Sequence, residues 1–294
     1  MSLSQVLVAE AFEAACLAEL EALKPGNVHR HASGHGMDAA HFEAAAAAAA
    51  PFIAAKSTRI GTRILGAVRA SWAATGLNTN LGILLLCAPL AAAAEQVAPS
   101  GDPGADADAL RAAVRAVLGA LGEQDAADVF AAIALASPGG LGTAPEHDVH
   151  APPAIGLVKA MQVAESRDLV ARQYAGGYAE IWRVGLPCLL NEEGRPATDS
   201  WATIRCFLAF AGAFPDSHIA RKYGAEVAAD VQRRMQTMGK HLKAHDHSQH
   251  ALALLASLDA ELKAERLNPG TSADLTVATL FIAKLLESLA QPGR

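Results

Sequence analysis

Four polar islands interrupt an otherwise apolar sequence: KPGNVHR at 24–30, GLNTNLG at 76–82, PDSHIARKYG at 215–224 and LNPGTSADL at 267–275. Each sets Asn, Asp, Lys or Arg beside Gly or Pro, the composition of a helix end. Helix ends carry unpaired backbone groups, and the N-terminal ones favour anions through free N–H groups and the helix dipole. Lys24, Arg30, Arg221 and Lys222 add full positive charge, so phosphate binding is the chemistry these islands predict. Asp216 and Asp274 fall near the starts of predicted helices, where capping is an aspartate's ordinary task. The two carboxylates and the asparagine-bearing loops would also suit Mg²⁺ coordination or acid–base work around a polyphosphate, if the fold brings them together.

Other chemistries fit the residues less well. His29, His31 and His35 share a glycine-rich loop, and His241 and His245 stand four apart, followed by His247 and His250. A zinc site could use the latter spacing, but the HExxH glutamate and an obvious third ligand are missing, so a solvated turn is the better reading. GGLG at 139–142 does not continue into a phosphate-binding GxxxxGK[ST] loop, and there is no GxSxG elbow. Tyr174, Tyr178 and Trp182 recur at helical spacing and read as a packing stripe rather than a base-stacking platform.

The elements that must position these islands read as helices. Alanine-rich blocks dominate a chain of 294 residues, 52% hydrophobic, and no β-alternation stands out. Helices are predicted over residues 4–23, from Asp38 through a kink at Pro51, and over 59–74, from 81 onward, and over 106–121, 125–136, 154–165, 168–190, 200–213, 217–244, 248–267 and 272–290. The stretch 137–153, which carries Glu146, His147, Asp148 and His150, could divide two domains or serve function as a long loop; we read one all-α domain spanning 1–294. A net charge of −6 argues against a nucleic-acid partner. Neither apolar run, 44–55 nor 81–94, is long enough to span a bilayer, and each contains a proline. The four scattered cysteines suggest reduced, buried thiols, and the acidic N-terminal segment lacks signal-peptide character, so a cytoplasmic location is expected.

In this order, KPGNV, NTNLG, ARQYAGGY, DSHIARKYG and NPGTSADL resemble the triphosphoribosyl-dephospho-CoA synthase family, whose members make the prosthetic-group precursor of citrate lyase and malonate decarboxylase. The resemblance implies an all-helical fold and transfer of the triphosphoribosyl group of ATP to the ribose 2′-hydroxyl of 3′-dephospho-CoA, with release of adenine and net inversion at the anomeric carbon. It further implies ATP as substrate, Mg²⁺ as cofactor, and site residues drawn from the motifs: Lys24 and Asn27, Asn78 and Asn80, Asp216 and Arg221, and Asn268, Ser272 and Asp274. On this reading Lys24 and Arg221 hold phosphates, with Arg30 and Lys222 as further cations, and Asp216 and Asp274 serve Mg²⁺ or act as general base.

The chain also departs from the pattern, as a divergent branch would. Members tied to citrate lyase follow KPG-hydrophobic-V with an aspartate where this chain has His29, and carry NTHKG where it has NTNLG. His29 then either replaces the acid as a ligand or base, or caps the loop, while His31 and His35 form a polar tail leading to Asp38. A related nucleotide acceptor, a helical Mg²⁺-dependent ADP-ribosyl hydrolase and a non-catalytic nucleotide-binding scaffold are the competing readings. The oligomeric state is open, a homo-oligomer included.

Overall fold

The computed structural model describes residues 2–139, 149–245 and 248–290, with the backbone alone for 243–245. Among the described residues regular structure is helical throughout, with three isolated β-bridges and no strand. The order is α1 (Gln5–Glu21), α2 (Ala39–Ile53), α3 (Ile60–Thr75), α4 (Leu81–Ala94), α5 (Pro103–Gly119), α6 (Glu123–Ala136), α7 (Leu157–Ala164), α8 (Leu169–Gly176), α9 (Ser200–Ala213), α10 (Ser217–Tyr223), α11 (Ala225–His245), α12 (Gln249–Ala264) and α13 (Gly270–Ala290). Ser4, Asp38, Asp102, Asp168, Asp199, Asp216 and Ser248 cap seven of these helices through their side chains. Asp38 and His41 form a reciprocal capping box.

Two helices form the centre. Twelve of the fourteen residues of α4 are buried, as are fifteen of the twenty-one in α13, the mark of helices apolar on every side. They pack on one another, with α1, α3, α5 and α9 around them. A second apolar cluster joins α9, α11 and α12 through Phe207, Leu208, Met235, Leu255 and Leu262. Both α9 and α13 contribute to both clusters, which is why we propose a single domain. No helix among the described residues is long and apolar enough to cross a membrane.

Pro89 stands inside α4 and cannot donate to the carbonyl of Leu85, four residues back. Tyr174 supplies the missing donor: its hydroxyl gives a hydrogen bond to Leu85 O at 2.6 Å. The Tyr178 hydroxyl donates to Leu86 O at 2.9 Å. The tyrosines of ARQYAGGY are therefore the partners of a proline-interrupted core helix.

Two predicted helices need correction. The helix expected over 168–190 stops at Gly177 (φ +62°) and Tyr178 (φ +63°), and resumes as a π-turn at Ile181–Gly185 and a 3₁₀ turn at Leu186–Leu189. Two successive left-handed residues cannot continue a right-handed helix. The helix expected over 217–244 is cut at Gly224 (φ +93°) into α10 and α11. Pro51 lies in the last turn of α2, which ends two residues later at Ile53.

Candidate active site

A cavity of about 530 Å³ opens between the ends of α1, α4, α10 and α13 on one side and α6, α7 and α8 on the other. Asn27, Asn78, Arg221, Lys222, Asn268 and Asp274 line it, so six sequence candidates from all four islands share one space. Asn27 Nδ2 donates to Asn268 Oδ1 at 2.8 Å, tying the first island to the fourth across the cavity wall.

Asp274 is the fifth residue of α13 and lies against the first turn of α4. A Cβ added to Gly82 would fall 2.1 Å from Asp274 Oδ2, so only glycine lets the carboxylate approach here. Among the described residues its side chain has no hydrogen bond or ion pair. Burial, then the negative charges of Asp216 and Glu19, push its pKa well above the ordinary carboxylate range, against the pull of Arg221.

The opposite charge comes from α10. Arg221 Nη1 meets Asp168 Oδ2 at 2.6 Å, while Asp168 Oδ1 caps α8 through Val170 N and Ala171 N. Among the described residues Arg221 Nε is buried without a partner, and Lys222 lines the rim beside Gly139. Between these cations and the start of α13 lies His218, whose pKa is lowered to about 4 by burial and by Lys222 and Arg221. Its imidazole is therefore neutral at physiological pH.

The remaining candidates are turned away from the cavity. Lys24 is fully buried: its Nζ sits 3.1 Å from Glu19 Oε1 and donates to Glu19 O at 2.8 Å and Val28 O at 2.9 Å. A lysine whose charge and donors are occupied in closing the C-terminus of α1 cannot also bind phosphate. Arg30 is exposed and pairs with Glu21 and Glu43 at 2.5 and 2.6 Å. His29 Nε2 lies 3.2 Å from Asp259 Oδ2, and the same carboxylate takes the Lys263 ammonium at 2.9 Å and the Gly26 N–H, through Oδ1, at 2.9 Å. His29 thus fastens its loop to α12, and it does not line the cavity.

Asp216 and Ser272 form a clamp. One oxygen of Asp216 accepts from His218 N and Ile219 N at 2.9 and 3.3 Å. The other accepts from Ser272 N and Oγ, both at 2.8 Å. With four donors the carboxylate is saturated, so the expected metal or base role does not hold; burial nevertheless raises its pKa. Asn80 also turns aside, donating to Ser71 Oγ at 3.1 Å.

Several cavity residues were not singled out from sequence. Glu19 follows Phe12 and Cys16 on the buried face of α1, and an acid on an apolar stripe is a readable signal. His218 and Asp168 lie inside or beside a recognised motif and offer no such signal. His35, expected to be part of a polar tail, instead lines the cavity at φ +57°, its Nε2 2.8 Å from Gly26 O. His241 is exposed. The side chain of His245, and Glu146, His147, Asp148 and His247, lie outside the described residues. No group of three or more His, Cys, Asp or Glu suited to a metal occurs among the described residues.

The family described as ATP:dephospho-CoA triphosphoribosyl transferase matches residues 6–292, nearly the whole chain. Among solved structures, one from Archaeoglobus fulgidus that carries the name triphosphoribosyl-dephospho-CoA synthase is 24% identical. It superposes with a TM-score of 0.62, over 82% of this chain and 96% of that one. At that identity the likeness speaks for the fold. No curated protein matches the chain.

Proposed function

Because the chain belongs to the ATP:dephospho-CoA triphosphoribosyl transferase family, and is thus a transferase using ATP, we propose that its cavity moves the triphosphoribosyl group of ATP to the 2′-hydroxyl of 3′-dephospho-CoA and releases adenine. The observation that carries this reading is the polar end of the cavity, where a carboxylate, Asp274, shares one space with the α10 cations Arg221 and Lys222, the amides of Asn27, Asn78 and Asn268, and the neutral imidazole of His218.

Arg221 and Lys222 hold the triphosphate, and the N–H groups at the start of α4 add a dipole of the same sign. Asn27, Asn78 and Asn268 orient ribose and base through neutral hydrogen bonds. As the bond between C1′ and the adenine nitrogen breaks, positive charge builds on the sugar ring, and the negative field of Asp274 stabilises it. The acceptor 2′-oxygen bonds to C1′ while its proton passes to Asp274, whose proton affinity burial raises above that of an ordinary carboxylate. The C1′–N bond electrons leave with adenine, which takes up a proton from solvent. Direct attack of this kind inverts the anomeric centre.

A resident metal does not fit this donor set. Among the described residues Asp216 is saturated, Glu19 is held by Lys24 and Asp168 by Arg221, which leaves Asp274 as the one carboxylate of the cavity without a partner. Mg²⁺ is therefore taken to enter on ATP, as part of the substrate, with the phosphates supplying its ligands. Incubating the protein with MgATP and dephospho-CoA should release one adenine per product, with a mass equal to the acceptor plus the triphosphoribosyl group. ADP-ribose hydrolysis, or nucleotide binding without turnover, would replace this reading by the hydrolase or the scaffold.

A further inference from the structure

The cavity has two ends of different character. Its polar end is built by α1, α10, α13 and the loop carrying Asn27. The other end is walled by α4, α6, α7 and α8, which pack in the order α6 on α7, α7 on α8 and α8 on α4. These helices present Ile83, Phe130, Ile133, Met161, Val163 and Val170. Val163 is 44% exposed, so the apolar end leads out along α7 to solvent.

We propose that this apolar end is the binding site for the pantetheine arm of the acceptor, a flexible chain of methylene, gem-dimethyl and amide groups ending in a thiol. The inference rests on the transferase reading, since that reading brings dephospho-CoA to the cavity. Three features favour this occupant over a second purine. The wall is mainly aliphatic, with one aromatic ring, so it offers little surface for stacking an aminopurine. The six side chains named carry no hydrogen-bonding group to read the purine edge, and the polar residues Ser137, Arg167 and Asp168 stand at the ends of these helices, whereas a flexible thioether such as Met161 adapts to an irregular chain. The opening beside Val163 gives a long substituent an exit, which a purine does not need. The arm lies along α7 with its thiol toward solvent, and the apolar wall selects an acceptor bearing the arm over a plain adenosine diphosphate.

Calorimetric titration with dephospho-CoA and with ADP, which keeps the same adenosine end but lacks the arm, tests this without turnover. The extra ionised oxygen of ADP favours ADP at the cationic wall and so works against the proposal. The wild type should bind dephospho-CoA at least about tenfold more tightly than ADP, a difference of roughly 1.4 kcal/mol. Met161→Glu should remove most of that preference while leaving ADP binding unchanged. Val163→Glu, at a partly exposed position that tolerates charge, should do the same to a smaller degree and serves if Met161→Glu fails to fold. Equal binding of the two ligands by the wild type, no binding of dephospho-CoA, or equal weakening of both by a folded variant would overturn the assignment. Absence of adenine release in a separate assay, with the binding preference intact, would remove the transferase reading and leave the arm site standing.

Discussion

The first island, around Lys24, and the paired islands around Arg221 and Asp274 are written in the same residue types but do opposite work. Around Lys24 every charge has a partner supplied by the fold: Glu19 for Lys24, Asp259 for His29, Glu21 and Glu43 for Arg30. Around Asp274 the carboxylate has none among the described residues, Arg221 is held by Asp168 through Nη1 but keeps Nε unpaired among them, and both line the cavity. A polar motif at a helix end thus becomes scaffold or site according to whether the fold occupies all of its donors and acceptors or leaves some of them open to the cavity. Lys24 and Asp216 are the groups that hold the frame, and Arg221 and Asp274 are the groups left to meet substrate.

Replacing one residue on each side should separate the two roles. Asp274→Asn should lower kcat by about 10²–10⁴-fold, the range for losing a general base, with the melting temperature unchanged or higher because a carboxyl group without a partner among the described residues gives way to a neutral amide. Gly82→Ala should act in the same direction, since its methyl group displaces that carboxylate. Lys24→Met should do the reverse. It leaves Glu19 buried without its cation and should lose about 3–5 kcal/mol in urea unfolding, while the folded fraction keeps its kcat. If Lys24→Met instead raised the KM for ATP with stability intact, the comparison would fail.

Smaller effects refine the contrast. Arg221→Ala should raise the KM for ATP by about 10–100-fold, the worth of a charge-assisted hydrogen bond to phosphate, with a lesser change in kcat. His218 should show no NMR titration above about pH 5, because its pKa is lowered from 6.5 to about 4. The folded state disfavours its proton and the unfolded chain does not, so its contribution is full above pH 6.5 and is lost as pH falls toward 4. Comparing His218→Asn with the wild type across that window isolates this loss from the raised carboxylates nearby.

Much of the frame was legible in the sequence. The alanine-rich blocks, the Asp38 cap and the helix at residues 200–213 followed from propensity and capping, which are local. The breaks at Gly177–Tyr178 and Gly224 were missed, because Gly in a helical pattern is tolerated as often as it terminates. For Tyr178 the left-handed turn accompanies its reach to Leu86 O, a contact 92 residues away in sequence. The islands were found as a set, since residue type and helix-end grammar are visible in one dimension. Which members face the cavity was not, because Lys24 and Asp216 are disarmed by partners. Asp259, 230 residues beyond His29 in the chain, carries no mark in sequence that says it will take that imidazole.

The most direct test is a crystal structure with MgATP bound in the absence of acceptor. The triphosphate should lie within about 3 Å of Arg221 and Lys222, with the ribose C1′ on the side of Asp274 and Lys24 still paired with Glu19. A triphosphate seated on Lys24 or Arg30, with the Lys24–Glu19 pair opened, would contradict the account.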